Sequence, residues 1–408
     1  MGENLINSLI ESDNIAKERL EAFSKFKELG LPDKKSEAYR YFDVGKILKR
    51  EYNFTKEEVS QVNRGKDIVI VDGILRELPQ GLNFEMIDGF EFDKSHFDPL
   101  YYLGIALCSK IIKIDIKKDM KLKLVHIITK SKELIPYRVM FDIDKNVNVE
   151  VMETFDDNGV KDSFVLSGYD IWLGRDANAT FIKEQTVKEG GFVSVLSHSM
   201  KVDANASLDF LRFDFGDGDA LELFDVKLYK NSSFKANHLL YATNEAKRGT
   251  VSKIVHIGEN SKSSQNAKNI ISKKGRGIFD ALIKVEQSAK WTKAYQNSKA
   301  ILLDDDAYMI SKPQLEICID ELEASHGSTT GQLNEDELFY LRSRGIELLD
   351  AKKMLIEAFA NEMIDGIKSE EVRDRIHCAF EEAYYGKAQL NCIDTCHGCE
   401  DIILKEKS

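Results

Sequence analysis

The sequence has little proline, no long apolar run and no excess of positive charge. Five prolines in 408 residues are too few for Pro-rich linkers, and 43% hydrophobic with 31% charged residues is the balance of an ordinary folded protein. The formal charge of −12 repels phosphate backbones, which argues against nucleic acid as a partner. Apolar runs such as YYLGIALC (101–108) are far too short to span a bilayer, so we expect no membrane association.

Three further signatures are missing. The first twenty residues alternate acidic and apolar positions without a basic start, so we see no signal peptide and expect a cytoplasmic protein. No G-x-x-x-x-G-K-[ST] occurs, which predicts no nucleotide site in this chain. The six cysteines do not resemble a disulfide framework, because Cys108 and Cys318 stand singly in apolar, strand-like contexts and the other four gather near the C-terminus. We expect Cys318 to lie in the core.

The hydrophobic period divides the chain into four regions. Helical spacing in residues 1–65 gives way to strand-like alternation in 66–325, where Ile112, Ile114 and Ile116 share one face. Residues 326–386 are predicted to be mainly helical, with Asn334 as an N-cap. Residues 387–408 form a Cys-rich tail.

A loose repeat marks the middle region. Short turns rich in Asn, Asp, Ala and Ser precede alternating segments, and their starts differ by 30, 27, 28, 29, 27 and 18 residues: Asn146, Asp176, Asp203, Asn231, Asn260, Gln287 and Asp305. Strands with small polar turns at this period are typical of a β-solenoid, in which each turn covers the apolar face of its neighbour. A β-sandwich gives the same alternation with less regular spacing, and the pattern alone leaves both open.

The tail carries the strongest chemical signal. Cys392, Cys396 and Cys399 have C-x3-C-x2-C spacing, which lets three thiolates turn toward one zinc ion or iron–sulfur cluster. Cys378 is a candidate fourth ligand, and His397 is an alternative. The competing interpretation is an acidic tail in which thiols happen to cluster.

Acidic residues and histidines of the middle region leave a second possibility open. Asp214, Asp217 and Asp219 lie close together in the sequence, and His238 and His256 lie in alternating segments. A β-helix enzyme acting on carbohydrate or acyl groups could use such groups as acid, base or metal ligands. The competing interpretation is that the aspartates form a turn and the histidines are structural.

Three stretches carry a resemblance to a known family. They are EASHGSTTGQL (323–333), KGRGIFDALIKV (274–285) with TKAYQ (292–296), and GLPDKKSEAYRYF (30–42). The chain resembles the SufB/SufD family of iron–sulfur cluster assembly proteins, most specifically over residues 265–365. The resemblance implies a mainly β fold: a right-handed parallel β-helix core with α-helical N-terminal and C-terminal regions.

Within that family the sequence is similar to the SufD type. Gly327 follows His326 where a SufB chain carries an acidic residue, and the segment YQNSKAILL has no cysteine to receive sulfur. Many SufD chains have a cysteine two residues before this histidine, whereas this one has Ala324. The resemblance therefore implies that His326 contacts transient iron or a nascent cluster at an interface with a SufB-like protein.

The resemblance also implies a non-catalytic scaffold subunit. A SufC-like ABC ATPase is expected to dock on the C-terminal helices, and we place the docking region at five residues: Phe339, Tyr340, Leu341, Leu355 and Phe359. A homodimer built on the same β-helix edge is as plausible as the pair with a SufB-like protein. A carrier of metal or cluster on the tail cysteines stays open as a further alternative.

Overall fold

The structure is a computed structural model that describes residues 16–33, 35–54, 62–157, 159–187 and 190–386. The 3₁₀ turn Glu37–Tyr39 lies between the first two helices. The α-helices are α1 (Lys17–Leu29), α2 (Val44–Leu48), α3 (Pro99–Leu107), α4 (Glu335–Ser343), α5 (Leu348–Ile364) and α6 (Glu370–Tyr385).

Strands form the middle of the chain. The first eight strands are β1 (Asn63–Gly65), β2 (Ile68–Val71), β3 (Ile74–Pro79), β4 (Asn83–Ile87), β5 (Ile111–Ile116), β6 (Met120–Ile128), β7 (Leu134–Pro136) and β8 (Arg138–Ile143). They continue with β9 (Asn148–Asp157), β10 (Ser163–Ser167), β11 (Tyr169–Leu173), β12 (Asn178–Val187), β13 (Phe192–Val202), β14 (Ser207–Gly216) and β15 (Ala220–Leu228). The last seven are β16 (Ser233–Ala242), β17 (Lys247–His256), β18 (Lys262–Ile271), β19 (Arg276–Val285), β20 (Thr292–Leu302), β21 (Tyr308–Ile317) and β22 (Leu322–Gly331).

The strands build a parallel β-helix from two 11-stranded sheets. Sheet 1 has the order β1-β3-β2-β6-β9-β12-β14-β16-β18-β20-β22, and sheet 2 runs from β21 through β19, β17, β15, β13, β11, β8 and β5 to β4, with β10 and β7 beside it. From β12 onward, consecutive strands alternate between the sheets and each pairs in parallel with the strand two positions later. The predicted solenoid is thereby confirmed. Inward-facing aliphatic residues such as Ile112, Ile114 and Ile116 fill the space between the sheets.

Left-handed asparagines turn the chain from sheet 2 to sheet 1. Asn146, Asn205, Asn231 and Asn260 have φ angles of 58°, 61°, 58° and 56°, a region that Asn tolerates better than most residues. Their side chains also stack: the Asn231 amide donates to Asn205 Oδ1 at 2.8 Å. The asparagine-rich turns of the sequence are therefore the corners of successive coils.

The short last interval of the repeat has a structural cause. Asp305 lies between β20 and β21, where the chain passes from sheet 1 to sheet 2, whereas the six earlier starts lie at the opposite corner. The next turn at that opposite corner is 318–321, between β21 and β22. Its sequence, CIDE, lacks Asn, Ala and Ser, so it was not recognised among the turns rich in these residues that mark the repeat.

Helices cover the outer faces of both sheets. The N-terminal helices and α3 pack on sheet 2 around Tyr101, Leu103 and Phe164. The stretch YYLGIALC is therefore mostly helical rather than strand-like, and Cys108 is the buried residue that ends α3. On the other side, α5 and α6 pack on sheet 1 through Ile356, Ile376 and their neighbours.

The two ends of the β-helix differ. In the described part of the chain, β21 pairs only with β19 and β22 only with β20, so the last coil has an open edge. Residues 326–331 of β22 are all exposed. The strand continues five residues past the predicted start of the C-terminal helical region, which places His326 in mid-strand. No helix within the described ranges is long and apolar enough to cross a membrane.

Candidate functional site at the open end of the β-helix

His326 lies across the open end of the β-helix. Its neighbour in register is Gln296, which belongs to a column of inward-facing residues on sheet 1. No further coil of the described chain covers His326, so it is exposed although its position in the strand is an interior one. Its Nδ1 lies 3.2 Å from the carbonyl oxygen of Pro313 on sheet 2. Because a carbonyl oxygen only accepts, Nδ1 carries a proton in this contact, and in the neutral ring Nε2 then presents a lone pair.

On the two coils before His326, glutamines at the same register position also make contacts across the two sheets, although with different partners. The Gln296 amide donates through Nε2 to the Ala281 carbonyl at 3.2 Å, and Gln265 Oε1 accepts from Ser252 Oγ at 2.8 Å. Gln265, Gln296 and His326 are register partners, as are their three contacts on sheet 2. We call Gln265, Gln296 and His326 the cross-sheet ladder. The sequence prediction missed both glutamines, although they precede His326 by about one and two repeats and this spacing could have found them.

Deeper inside the β-helix lies a network of buried charges that the sequence analysis also missed. Glu222 accepts from Lys183 Nζ at 3.2 Å, its other carboxylate oxygen lies 2.8 Å from His198 Nε2, and it pairs with Arg212. Burial opposes ionisation of Glu222, but the surrounding cations hold its pKa well below the usual range. Desolvation lowers the pKa of His198, so this ring is neutral. These groups are all buried and present no reactive atom to solvent.

The three aspartates of the enzyme hypothesis each interact with a different partner. Asp214 is buried and paired with Arg248, Asp217 accepts from the Asn244 amide at 2.9 Å, and Asp219 accepts from the backbone of Lys247. The structure thus places these aspartates in a strand and in the turn that follows it.

The two histidines of that hypothesis are buried. His238 lies beside Thr250, and desolvation together with Arg212 lowers its pKa well below the usual value. His256 lies between the hydroxyls of Ser261 and Ser263, and burial lowers its pKa to about 4. Among the described residues, no three His, Cys, Asp or Glu side chains come together as a metal site.

The cysteines fall into two groups. Cys392, Cys396, Cys399 and His397 lie outside the described residues. Cys378, their candidate partner, is buried in α6. Burial raises the pKa of the Cys108 thiol to about 12, which makes it unreactive. Cys318 is exposed, and its assignment to the core is wrong, because the turn that holds it belongs to the last coil.

The C-terminal helices expose an apolar surface beyond the open end. Phe339 and Tyr340 on α4 are 74% and 56% exposed, while Leu341 and Leu355 are half-buried. Phe359 instead faces sheet 1, where its ring lies 4.4 Å from Lys268 Nζ. Leu349, which is 78% exposed on α5, was missed by the sequence analysis. We call Phe339, Tyr340 and Leu349 the apolar helix face.

Comparison with known families covers most of the chain. The family described as "SUF system FeS cluster assembly, SufBD core domain" matches residues 126–359. The family described as "SufBD protein N-terminal region" matches residues 3–72.

Individual relatives point the same way. "Iron-sulfur cluster assembly protein SufD" of Escherichia coli is 26% identical over 373 residues, which cover 85% of this chain and 88% of that protein. A SufBD family iron–sulfur cluster assembly protein of Synechocystis is 26% identical over 64% of this chain and 60% of its own length. "Protein ABCI7, chloroplastic" of Arabidopsis thaliana is 38% identical over 25% of this chain and 21% of its own length.

Proposed function

Because the chain belongs to the SufB/SufD family of iron–sulfur cluster assembly proteins and is a homologue of SufD, we propose that it is a non-catalytic scaffold subunit of a cytoplasmic SufBCD-type complex. It pairs with a SufB-like protein at the open end of its β-helix. A SufC-like ABC ATPase docks on its C-terminal helices. The nascent cluster is assembled at the interface between the two β-helix subunits.

The unfinished last coil is the observation that carries this proposal. Edge strands present unpaired backbone groups that proteins normally cover, shorten or protect with charge. Here β21 and β22 are each 10 residues long, and β22 ends in the sequence GSTTG, which carries no charge. A second β-helix of the same family offers strand edges of matching spacing, so it covers this end by adding strands.

His326 is the metal ligand that this subunit contributes to the interface. Its tautomer is fixed by the Pro313 carbonyl, which leaves Nε2 to bind iron or a cluster intermediate. Ala324 supplies no thiolate on the same strand. No cluster of three or more His, Cys, Asp or Glu forms among the described residues, so we place the remaining ligands on the SufB-like partner.

The apolar helix face is the docking surface for the ATPase. It lies on α4 and α5, and α5 is fastened to sheet 1 where Lys268 donates to the Phe359 carbonyl at 2.8 Å and pairs with Glu362. Movement of an ATPase bound to these helices is thereby transmitted to the β-helix. ATP-driven dimerisation of the ATPase would move the two β-helix subunits apart and open the buried assembly site.

Co-expression tests the proposal. The full chain, produced beside the SufB-like and SufC-like proteins of its own source, should purify with both. A chain that purifies alone, or only as a homodimer, in the presence of both partners contradicts the scaffold assignment.

A second variant tests the histidine separately. We expect His326→Ala to leave folding and complex formation intact, because the side chain is exposed, and to lower cluster maturation in cells. Asn297→Ala, on the outward face of the neighbouring strand, is the matched control. Unchanged maturation in His326→Ala would reduce the histidine to a structural residue.

A further inference from the structure

Charge on the β-helix is layered toward the open end. The coil before the last, residues 272–302, carries seven Lys or Arg and two carboxylates, which gives it a formal charge of +5. The last coil, residues 303–331, carries seven carboxylates and one lysine, which gives it a formal charge of −6, half of the −12 of the whole chain. The open end is therefore an acidic layer that lies on a basic one.

Ion pairs join the two layers. Three glutamates of the last coil lie 3.0 to 3.6 Å from lysines of the basic coil: Glu316 from Lys284, Glu321 from Lys290 and Glu323 from Lys293. The first and third of these pairs are also strand register partners. More than half of each glutamate side chain stays exposed, and no coil of the described chain follows. A partner that covers the last coil therefore meets these carboxylates.

The carboxylates lie at both corners of the last coil. Asp304, Asp305 and Asp306 are exposed in the corner between β20 and β21. The other four are exposed within two residues of the corner 318–321, or in it: Glu316, Asp320, Glu321 and Glu323. The one cation, Lys312, contacts Glu37 and lies 3.8 Å from Asp280, two carboxylates outside this coil. Neither corner therefore carries a compensating cation of its own.

This distribution disfavours a second copy of the chain at the open end. Two copies that meet end to end are related by a two-fold axis, so each presents the same surface to the other. If the axis runs along the strands, each corner faces its own counterpart. If the axis runs across the strands, the two corners exchange places. Because both corners are acidic, either arrangement brings carboxylates against carboxylates, which penalises the pairing.

We propose that the acidic last coil selects its partner by charge: it pairs with a β-helix whose facing coil is basic and discriminates against a second copy of this chain. A basic coil on the open side repeats the layer that already lies beneath the last coil, so the same carboxylates have cations on both sides. Selection of this kind rests on the proposed pairing with a SufB-like protein. It adds the charge of the surface that this partner presents, and it separates the pair from the homodimer.

The salt dependence of two associations of the full chain tests the proposal. Stopped-flow mixing measures the on-rate with the SufB-like protein of its own source, and sedimentation equilibrium measures self-association. Both are recorded at 10 mM and 1 M salt, where the Debye length is about 30 Å and about 3 Å. The on-rate with the partner should fall at least about 10-fold at the higher salt, because screening weakens the attraction. Self-association should become tighter, because screening weakens the repulsion.

Two triple variants with equal net charge locate the effect. The open-end variant combines Asp305→Lys, Asp306→Lys and Asp320→Lys, which brings the last coil from −6 to zero and leaves the three glutamate–lysine pairs in place. The control variant reverses three exposed carboxylates in the first half of the chain: Glu51→Lys, Glu91→Lys and Asp144→Lys.

The two variants are compared at 0.1 M salt, where the Debye length of about 10 Å screens distant charges. The open-end variant should bind the SufB-like protein roughly 10-fold more slowly than the parent, and its self-association should no longer depend on salt. The control variant should match the parent in both measurements. Thermal unfolding of all three proteins checks that the fold is unchanged.

Failure of charge selection is distinguishable from failure of the proposed function. If the parent binds the SufB-like protein at the same rate in both salts, or if the two variants bind it equally fast, the pairing stands and charge selection is refuted. Self-association of the parent that tightens at low salt would refute the discrimination against a second copy. If the parent does not bind the SufB-like protein in either salt, the proposed function itself is contradicted.

Discussion

Replacing His256 with glutamine should flatten the pH dependence of stability. The His256 ring is buried between Ser261 and Ser263, whose hydroxyls lie 2.8 Å from Nδ1 and Nε2. Ser261 Oγ donates to the Gly258 carbonyl, so it accepts from Nδ1, and Nε2 accepts from Ser263. The hydroxyls thus satisfy the neutral ring, and burial lowers its pKa to about 4.

The sign and size of the effect follow from linkage. An unfolded histidine takes up its proton near pH 6.5, whereas the folded ring stays neutral down to pH about 4. Between these values the unfolded state binds more protons, so stability falls as the pH falls. Integration from pH 7 to pH 5 gives a loss of about 1.8 kcal/mol from this one residue.

Urea unfolding at pH 7 and pH 5 measures that loss. The parent protein should lose about 1.8 kcal/mol more between the two pH values than His256→Gln, because all other titrating groups are shared. Equal losses would mean that the folded ring carries a charge at pH 5. That result would refute the structural role and revive His256 as an acid–base group in a β-helix enzyme.

Three further predictions concern the C-terminal region. Leu349→Ser should weaken binding of the ATPase roughly 10- to 100-fold, the equivalent of burying one leucine, without changing the melting temperature; a lower melting temperature would contradict its free exposure. Lys268→Met removes the cation that holds α5, so hydrogen exchange should rise in Leu348–Ile364 and stay constant in β18; an unchanged α5 would refute the tether. If the tail binds zinc or a cluster, metal analysis after truncation at Gly386 should show less metal than the full chain, and equal content would reject the tail site.

Alternation in the sequence predicted the interior of the β-helix well. Ile112, Ile114 and Ile116 face inward as expected, because in a solenoid every coil repeats the same inside–outside pattern. The predicted repeat period agrees with the length of one coil, because a coil of two strands and two corners needs a nearly constant number of residues. The strand register therefore keeps corresponding positions on the same face in successive coils, even where the residues differ.

Alternation does not say where a solenoid ends. Cys318 and His326 lie in strand-like patterns that resemble those of earlier coils, yet both are exposed because no further coil within the described residues covers them. Likewise, YYLGIALC is apolar at every position, and a helix buried on all sides gives the same sequence as a buried strand. Two features favour a helix over Pro99–Leu107. The segment packs on sheet 2, and the carboxylate of Asp98 caps the helix by accepting from the backbone N–H of Leu100.

The position of His326 follows from the ladder that leads to it. Glutamine on two successive coils closes the gap between the sheets, and in the interior both ends of such an amide need partners. At the last coil one side of the column faces the outside, so a residue that ties one end inward and presents the other outward completes the series. Histidine does this with a nitrogen that binds metal, whereas glutamine would present only a neutral amide oxygen. The open end of the β-helix thus turns a structural position into a ligand position, and the groups that complete the site must come from whatever covers that end.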